Sequence, residues 1–362
     1  MKRRYSIAIG FFIALFLGGL LACGNADVDS RGDEDYKRNH PSAFQVGTFF
    51  PDISPDNKTL LFGYGSPYWL NIAAFNMTTG SVRIFREIRT KVNACPSFSP
   101  DGRRIVFLGA KERDSARNIF VIDADGSGLH QVTKFPETTN KEFINAPSFS
   151  PDGQRIIFLR SHGKRERAFP LRGEMHSQWD VYELDIATGA ERRLTNYNYY
   201  DASWPYYLSD GKRFIFSGEG PYNPRGPGPK DFQDYERKYQ KNFILIMDGR
   251  NNDLKPAFVN GRHSDGPSIA HDDTILFISR TDELDGRKGQ EMQDLFLYKK
   301  GKIKRLTKLE SYIELARISR DGSTIVFSKK RDKRSQDDSY WIMKSDGSGL
   351  REIRIPVDKL KR

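Results

Sequence analysis

Short apolar runs, each preceded by a polar turn, recur along this chain. The clearest two are RIVFL at Arg104 to Leu108 and RIIFL at Arg155 to Leu159, and both follow the heptapeptide PSFSPDG. Runs of this length that are rich in Ile, Val and Phe are typical of strands buried on both faces. In the turn, Pro fixes φ, Asp suits the next position and Gly accepts the left-handed conformation that closes a hairpin. Each copy therefore predicts a strand, a tight turn and a second, buried strand.

Weaker copies of this unit extend over the whole chain. Aligning the turn aspartates gives six copies, separated by 45, 51, 58, 62 and 49 residues, and a phenylalanine of the following strand keeps the same step. The aspartates are Asp56, Asp101, Asp152, Asp210, Asp272 and Asp321. The phenylalanines are Phe62, Phe107, Phe158, Phe216, Phe277 and Phe327. The sequence is therefore a tandem array of six units.

Each unit continues with two further strand-like segments joined by a turn. In the second unit they are Asn118 to Asp123 (NIFVID) and Leu129 to Thr133 (LHQVT). The corresponding segments of later units span 181–185, 192–195, 243–247, 295–298, 303–307, 340–343 and 350–355. Four strands per unit at this period predict a β-propeller, whose blades bury their faces against their neighbours. We expect an all-β fold, a six-bladed propeller of four-stranded antiparallel blades over residues 46–356.

The repeat resembles a known one. Its pattern is SFSPDG-x-x-I-x-F, an I-x-V-x-D strand, a DG or TG turn, and a strand that ends in Leu-Thr or Val-Thr. This is similar to the PD40, or WD40-like, repeat of TolB-like six-bladed propellers. The resemblance implies the fold and leaves the function open, since similar repeats occur in Tol-system proteins, peptidase accessory domains and polysaccharide lyases. TolB carries an α/β domain before its propeller and a peptidase needs a G-x-S-x-G elbow, and neither feature is found in this sequence.

The first 22 residues predict a lipoprotein signal peptide. Lys2, Arg3 and Arg4 form a positive n-region, and the apolar run from Ser6 to Leu21 is short for a transmembrane helix. The run ends in LLACG, which resembles the lipobox of bacterial lipoproteins and implies that Cys23 is acylated. Residues 23–45 then read as the acylated Cys and a polar tether, and residues 357–362 as a basic tail.

These features predict an exported protein that is anchored to a membrane by lipid. Residue 24 is Gly and not the Asp that commonly retains lipoproteins at the inner membrane, so the resemblance implies the outer membrane of a two-membraned cell, on its periplasmic face or surface. Acylation of Cys23 would leave Cys95 as a single cysteine, which we expect in the core.

The net charge of the chain indicates which partners are favoured. The formal net charge is +11, and removal of Lys2, Arg3 and Arg4 leaves +8. This surplus favours attraction to anionic glycans, lipid headgroups or cell-wall polymers, and no nucleic acid is expected outside the cytoplasm.

Three long insertions fall between the second and third strands of consecutive units. They span about 161–178, 218–242 and 281–293. If the strands alternate in direction, the tight turns share one face of the ring and these insertions build up the other, where binding residues concentrate. We predict a partner-binding surface there, with the alternative that its aromatic residues merely pack a loop onto the propeller. The residues are Arg165, Arg167, Arg172, Trp179, Tyr222, Phe232, Tyr235 and Tyr239.

Metal chemistry is the remaining enzymatic alternative. The segment DADGSG at Asp123 to Gly128 lacks the Glu that closes an EF-hand and therefore predicts a hairpin turn. None of the histidines forms an H-x-H or H-E-x-x-H pair. Resemblance to oligogalacturonate lyases, whose propeller holds a metal with His side chains from several blades, indicates His176, His263 and His271 as possible ligands.

Two functional hypotheses follow. The first is a non-enzymatic binding or scaffold module for an envelope protein or an anionic glycan, with no cofactor apart from the lipid on Cys23. The alternative is a metal-dependent lyase or hydrolase that acts on an acidic oligosaccharide in the propeller channel.

Overall fold

The computed structural model consists almost entirely of β-strands. It describes residues 45–46, 51–66, 69–112, 115–136, 143–161, 166–167, 175–176, 178–196, 198–221, 243–249, 253–258, 262–281, 292–309, 311–330 and 338–360. Within these residues, no helix has the length and apolar character needed to cross a membrane.

The strands form consecutive antiparallel meanders, which we call blades 1 to 6. Blade 1 contains β1 Gln45–Val46, β2 Asp52–Ile53, β3 Thr59–Ser66, β4 Trp69–Asn76 and β5 Val82–Ile84. Blade 2 contains β6 Val92–Phe98, β7 Arg104–Ala110, β8 Asn118–Asp123 and β9 His130–Gln131. Blade 3 contains β10 Ile144–Phe149, β11 Arg155–Ser161, β14 Trp179–Asp185 and β15 Glu191–Arg193, with the separate ribbon β12 Glu166–Arg167 and β13 Met175–His176.

The remaining strands repeat this plan. Blade 4 contains β16 Tyr199–Tyr207, β17 Arg213–Pro221, β18 Phe243–Asp248 and β19 Asp253–Pro256. Blade 5 contains β20 Ser264–Ile269, β21 Ile275–Arg280, β22 Gln293–Lys299 and β23 Lys302–Arg305. Blade 6 contains β24 Tyr312–Ile318, β25 Thr324–Lys330, β26 Asp338–Lys344 and β27 Arg351–Ile353, and is followed by the one-turn 3-10 helix Val357–Leu360.

Hydrogen bonding joins some neighbouring blades. Blades 1 and 2 form a nine-stranded sheet and blades 3 and 4 an eight-stranded sheet, whereas blades 5 and 6 are separate four-stranded sheets. In each large sheet a single residue pair connects the two meanders, Leu70 with Val92 in one and Trp179 with Tyr199 in the other. The described strands therefore form six meanders, one for each sequence repeat, with four strands each in blades 2 to 6 and five in blade 1.

The core lies between the blades. Each pair of neighbours encloses one buried apolar cluster, and one of these clusters joins blade 6 back to blade 1. The repeat phenylalanines Phe62, Phe107, Phe158, Phe216, Phe277 and Phe327 are all 0% exposed. Six clusters between six blades close the ring, so the predicted all-β propeller is confirmed.

At the seam between blades 6 and 1, no described strand of one blade pairs with the sheet of the other. Its cluster contains Phe62 of blade 1, Val326 of blade 6, and Leu360 of the 3-10 helix, which is 4% exposed. The amide of Asn57 in blade 1 donates to Oδ2 of Asp321 in blade 6 at 2.9 Å. The segment predicted as a basic tail thus contributes a buried leucine to ring closure.

The repeated turn is a hydrogen-bonded unit, which explains why its letters recur. In blade 2 the Ser99 hydroxyl donates to Oδ1 of Asp101 at 2.6 Å and accepts the N–H of Arg104 at 2.9 Å. The Gly102 N–H donates to the carbonyl of Ser99 at 2.9 Å, with φ of 72° at the glycine. Equivalent serine-to-aspartate bonds join Ser54 to Asp56, Ser150 to Asp152 and Ser319 to Asp321.

The Leu-Thr and Val-Thr ends of the repeat lie beyond the outer strands. These strands end two residues earlier, at Gln131, Arg193 and Arg305. The threonine hydroxyl instead bonds the first residues of the third strand. The hydroxyl accepts a backbone N–H of that strand and donates to the side chain of the Asn or Asp one residue earlier. The N–H donors are Ile119 for Thr133, Val181 for Thr195 and Leu295 for Thr307. The corresponding acceptors are Asn118, Asp180 and Asp294.

In blades 2 to 5 the innermost strand carries a bulge beside a proline. The residue before the proline has positive φ in four blades, which is uncommon for a residue with a Cβ. These residues are Cys95 (52°), Ala146 (47°), Trp204 (55°) and Gly266 (58°). Leu315, next to the blade 6 bulge, joins the buried cluster that contains Cys95, and Trp204 packs on that cluster. Side chains of blades 2, 4 and 6 therefore meet across the channel, and Cys95 is buried as expected.

Candidate binding site at the channel mouth

Each innermost strand contributes one residue to a set that we call the polar ring. This residue stands two positions before the turn residue that is equivalent to Ser99. Because this position lies near the end of the strand, the ring is close to the face that carries the tight turns, which we call the turn face. The polar ring consists of Asp52, Ser97, Ser148, Tyr206, Ser268 and Arg317.

Three ring positions bond the neighbouring blade. Oδ2 of Asp52 accepts the N–H of Phe98 at 2.7 Å, linking blades 1 and 2. The Ser148 hydroxyl donates to the carbonyl of Pro205 at 2.7 Å, linking blades 3 and 4. The Ser268 hydroxyl accepts the N–H of Ile318 at 3.1 Å, linking blades 5 and 6. The ring is therefore held rigidly by the scaffold.

Arg317 is the positive centre of this mouth. The residue is 3% exposed, and its guanidinium carbon lies 4.1 Å from the ring centroid of Trp204 and 5.6 Å from that of Tyr206, both on blade 4. Nη1 donates to the carbonyl of Ala316 at 2.9 Å. No ion pair joins Arg317 to a carboxylate among the residues that the structure describes. A planar guanidinium held by stacking in this way is suited to bind an anion.

Two further ring members have shifted pKa values. Burial raises the pKa of Asp52 above its usual value, although the Phe98 N–H and the charge of Arg317 oppose the shift. Burial also raises the pKa of Tyr206 to about 12, so its phenol stays neutral and can donate a hydrogen bond. The mouth thus offers one cation, one phenol and one carboxyl group that resists ionisation.

The predicted lipidation site and most residues predicted for the insertion face lie outside the described part of the chain. Cys23, Arg165, Arg172, Tyr222, Phe232, Tyr235 and Tyr239 lie outside the described residues. Arg167 lies on β12 and His176 on β13, and nothing is described of either side chain. The described strand ends that flank the insertions, those of the second and third strands of blades 3, 4 and 5, lie opposite the turn face.

The structure places Trp179 differently. This residue is 5% exposed and packs in the cluster between blades 3 and 4. Because its indole packs within this apolar cluster, Trp179 belongs to the core between blades 3 and 4 and not to the predicted contact surface.

The histidines indicated for a metal site do not come together in the described part. His263 precedes β20 and His271 follows it, so the two are separated by a six-residue strand, or about 20 Å. His271 Nδ1 lies 2.8 Å from the carbonyl of Arg320 on the turn face. No group of three or more His, Cys, Asp or Glu side chains within the described ranges is arranged to hold a metal.

The mouth residues Asp52, Trp204, Tyr206 and Arg317 were missed by sequence reasoning. Alignment of the repeats was the signal that could have revealed three of them. The ring position is Ser in blades 2, 3 and 5 but Asp, Tyr and Arg in blades 1, 4 and 6.

Comparisons with known proteins support the fold. No family model matches the chain. Over 132 residues it is 26% identical to the Tol-Pal system protein TolB of Francisella tularensis, a match that covers 36% of this chain and 26% of that protein. Over 148 residues it is 24% identical to the uncharacterized peptidase YuxL of Bacillus subtilis, covering 34% of this chain and 21% of the relative. The matched segments thus span about a quarter or less of these relatives.

Solved structures extend the likeness to most of the chain. TolB from Acinetobacter baumannii superposes with a TM-score of 0.56 at 18% identity, covering 89% of this chain and 67% of that one. Oligogalacturonate lyase in complex with manganese gives a TM-score of 0.55 at 13% identity, covering 86% and 78%. The protein is therefore a β-propeller. More particularly, it has the TolB-like propeller fold, and at these identities the likeness concerns the fold alone.

Proposed function

We propose that this chain is a non-enzymatic binding module of the cell envelope, which is anchored by lipid at Cys23 and holds an envelope protein at the channel mouth. The observation that carries the proposal is Arg317, a buried cation that stacks on Trp204 and forms no ion pair within the described residues, although its charge acts on the carboxyl of Asp52. Such a group has already lost most of its hydration, so an incoming anion gains a charge-assisted hydrogen bond at little further cost.

The likeness to a Tol-Pal system protein supports the choice of an envelope protein as partner. An anionic glycan is the alternative, supported by the net charge of +11. The lyase hypothesis is less well supported, because His263 and His271 lie at opposite ends of one strand.

Photo-cross-linking in intact cells tests the mouth. A photoreactive residue in place of Ser97, which is partly exposed beside Asp52, should give a specific adduct that mass spectrometry identifies as protein or glycan. The adduct should be lost in Arg317→Gln and kept in the control Arg213→Gln, whose guanidinium pairs with Asp210. An adduct that is unchanged in Arg317→Gln would exclude the mouth.

The anchor and the insertion face need separate tests. Cys23→Ala should abolish metabolic labelling by fatty acid and release the protein from the membrane fraction. Removal of residues 222–242 tests the predicted contact surface. Loss of the partner upon this deletion, with Arg317→Gln still binding, would move the site to the insertion face.

A further inference from the structure

We infer that the groove between blades 1 and 2 on the turn face is a receptor for an arginine side chain of a partner protein. The groove is a cavity of about 750 Å³. Thr59 and Ala74 of blade 1 line one side, and Phe98 and Gly102 of blade 2 line the other.

The neighbouring grooves show what such a space accommodates. Arg104 of blade 2 stacks on Phe149 of blade 3 at 5.2 Å and donates from Nη2 to the carbonyl of Gly153 at 2.7 Å. In the next groove, Arg155 of blade 3 stacks on Tyr207 of blade 4 at 5.1 Å and donates to the carbonyl of Gly211 at 3.0 Å. An arginine of one blade thus fills the aromatic and carbonyl site of the next.

Blade 1 has no such arginine. Thr59 occupies the equivalent position, since its N–H bonds Ser54 at 2.8 Å as that of Arg104 bonds Ser99 at 2.9 Å. Phe98 corresponds to Phe149 and Tyr207, because each immediately precedes a turn. The aromatic wall and the glycine carbonyl are therefore retained in this groove, while the guanidinium that belongs between them is missing.

The turns of all six grooves are described. Only the groove between blades 1 and 2 combines an aromatic wall and a glycine carbonyl with the loss of the arginine. Thr274 and Thr324 also replace the arginine, but the facing residues are Ile318 and Ile53, which offer no ring for stacking. In blade 4 the equivalent Arg213 bonds Asp210 of its own turn at 2.7 Å.

Blade 1 also lacks the acid that accompanies the arginine of blade 3, as does blade 2, where strand register places Val121 at that position. In blade 3, Glu183 pairs with Arg155 at 2.7 Å and with Arg192 at 2.9 Å, and the cavity beside them is only about 130 Å³. Strand register equates Glu183 with Ala74 and Arg192 with Arg83. Thr59 in place of Arg155 and Ala74 in place of Glu183 open the space that we assign to the ligand.

Among the residues that line the groove the charges favour a cation, although Lys58, Arg103 and Arg104 also act on its carboxylates from outside the lining. The carboxylates of Asp56 and Asp101 line the groove, against the single guanidinium of Arg83, which donates to the carbonyl of Ala124 at 2.7 Å. A guanidinium suits the site better than an ammonium, because it is planar, can stack on Phe98 and can donate to Gly102 at the same time. That the ligand belongs to a partner protein rests on the proposed function, whereas the arginine site itself does not.

A binding titration on the full-length chain tests the site. N-acetyl-arginine N-methylamide should bind saturably, as measured by ligand-observed NMR. The citrulline and lysine analogues should bind about tenfold more weakly, because the first lacks the charge and the second cannot stack. In Thr59→Arg the protein supplies the guanidinium itself, so binding of the arginine probe should be lost while the melting temperature is kept or raised.

Thr324→Arg is the matched control, since it adds the same side chain to a groove without an aromatic wall and should leave probe binding unchanged. If Thr59→Arg does not fold, Phe98→Leu provides the test and should weaken binding about tenfold. No saturable binding, or equal binding in folded Thr59→Arg, would overturn the inference. Arg317→Gln should bind the probe normally, so failure of this site and failure of the channel mouth are distinguishable.

Discussion

The hydroxyl of Thr307 donates to Oδ1 of Asp294 at 2.7 Å, across the start of β22 and the end of blade 5. Arg305 donates to Oδ2 of the same carboxylate at 2.5 Å, and the N–H of Leu309 donates to Oδ1 at 2.9 Å. Asp294 is 1% exposed. Because a buried carboxylate is tolerated only when it is paired and hydrogen-bonded, these donors together hold the outer edge of the blade.

Removal of the cation should therefore be costly. We expect Arg305→Ala to lower the free energy of unfolding by about 3 kcal/mol, because it leaves the carboxylate of Asp294 buried without its counter-charge. Urea denaturation measures the change. Blade 2 provides the control, since it uses Asn118 and Gln131 at the same positions, so Asp294→Asn with Arg305→Gln should recover most of the loss. Equal loss in both proteins would contradict the ion-pair explanation.

Acid should destabilise the ring through its turns. The pKa values of all six turn aspartates are lowered, and although burial opposes the shift, hydrogen bonds from Ser319 and Ser323 hold the pKa of Asp321 at about 2. A carboxyl whose folded pKa lies below its unfolded value of about 3.8 stabilises the fold above that value and loses this contribution as the pH falls towards the folded pKa. Urea midpoints should therefore fall between about pH 4 and pH 2.

The matched variant for this experiment is Asp321→Asn. It should be less stable than the parent at pH 7 and should show a smaller loss on acidification. A urea midpoint that stays constant from pH 5 to pH 2.5 would refute this account of the turns.

Asp52, at the channel mouth, should affect the pH dependence of stability in the opposite direction to the turn aspartates. Burial raises the pKa of Asp52, so the folded state binds its proton more tightly than the unfolded state, and the resulting stabilisation is lost as the pH rises through the folded pKa. At pH 7 we expect Asp52→Asn to raise the melting temperature. The turn variant Asp210→Asn, where the pKa is lowered, should reduce it. Such a gain in stability would fit a residue kept for binding.

The seam of the ring can be probed at Leu360. This side chain is 4% exposed in the cluster that joins blade 6 to blade 1. We expect Leu360→Ala to lower the free energy of unfolding by about 2–4 kcal/mol, as for other large-to-small changes in a core. The adjacent exposed residue provides the control, and Lys359→Ala should change stability by less than about 0.5 kcal/mol. Similar effects of both changes would argue against a seam that depends on packing.

The fold could be read from the sequence because its signals are local. In blade 2 the serine, aspartate and glycine of the turn bond one another, and in every blade a buried phenylalanine follows the turn aspartate after five or six residues. The ends of the strands were harder to predict from the sequence. Thr307 looks like a residue of the outer strand, but its hydroxyl bonds Asp294 and Leu295 of the neighbouring strand.

The channel mouth could not be deduced in the same way. The stacking of Arg317 on Trp204 depends on a bulge that gives Trp204 a positive φ, and on the meeting of two non-adjacent blades. The meeting of two non-adjacent blades has no local sequence signal. The empty position in the first groove becomes meaningful only once the ring shows that Thr59 faces Phe98.

The absence of strand exchange at the described seam also bears on how the molecule is assembled. Every blade comes from one uninterrupted stretch, so an emerging chain can complete its blades in the order of synthesis without waiting for a distant segment. The last event is then the docking of Leu360 and the bond from Asn57, made when both ends of the array are finished. Duplication or loss of a whole blade during evolution would leave the strand pairings within every other blade intact.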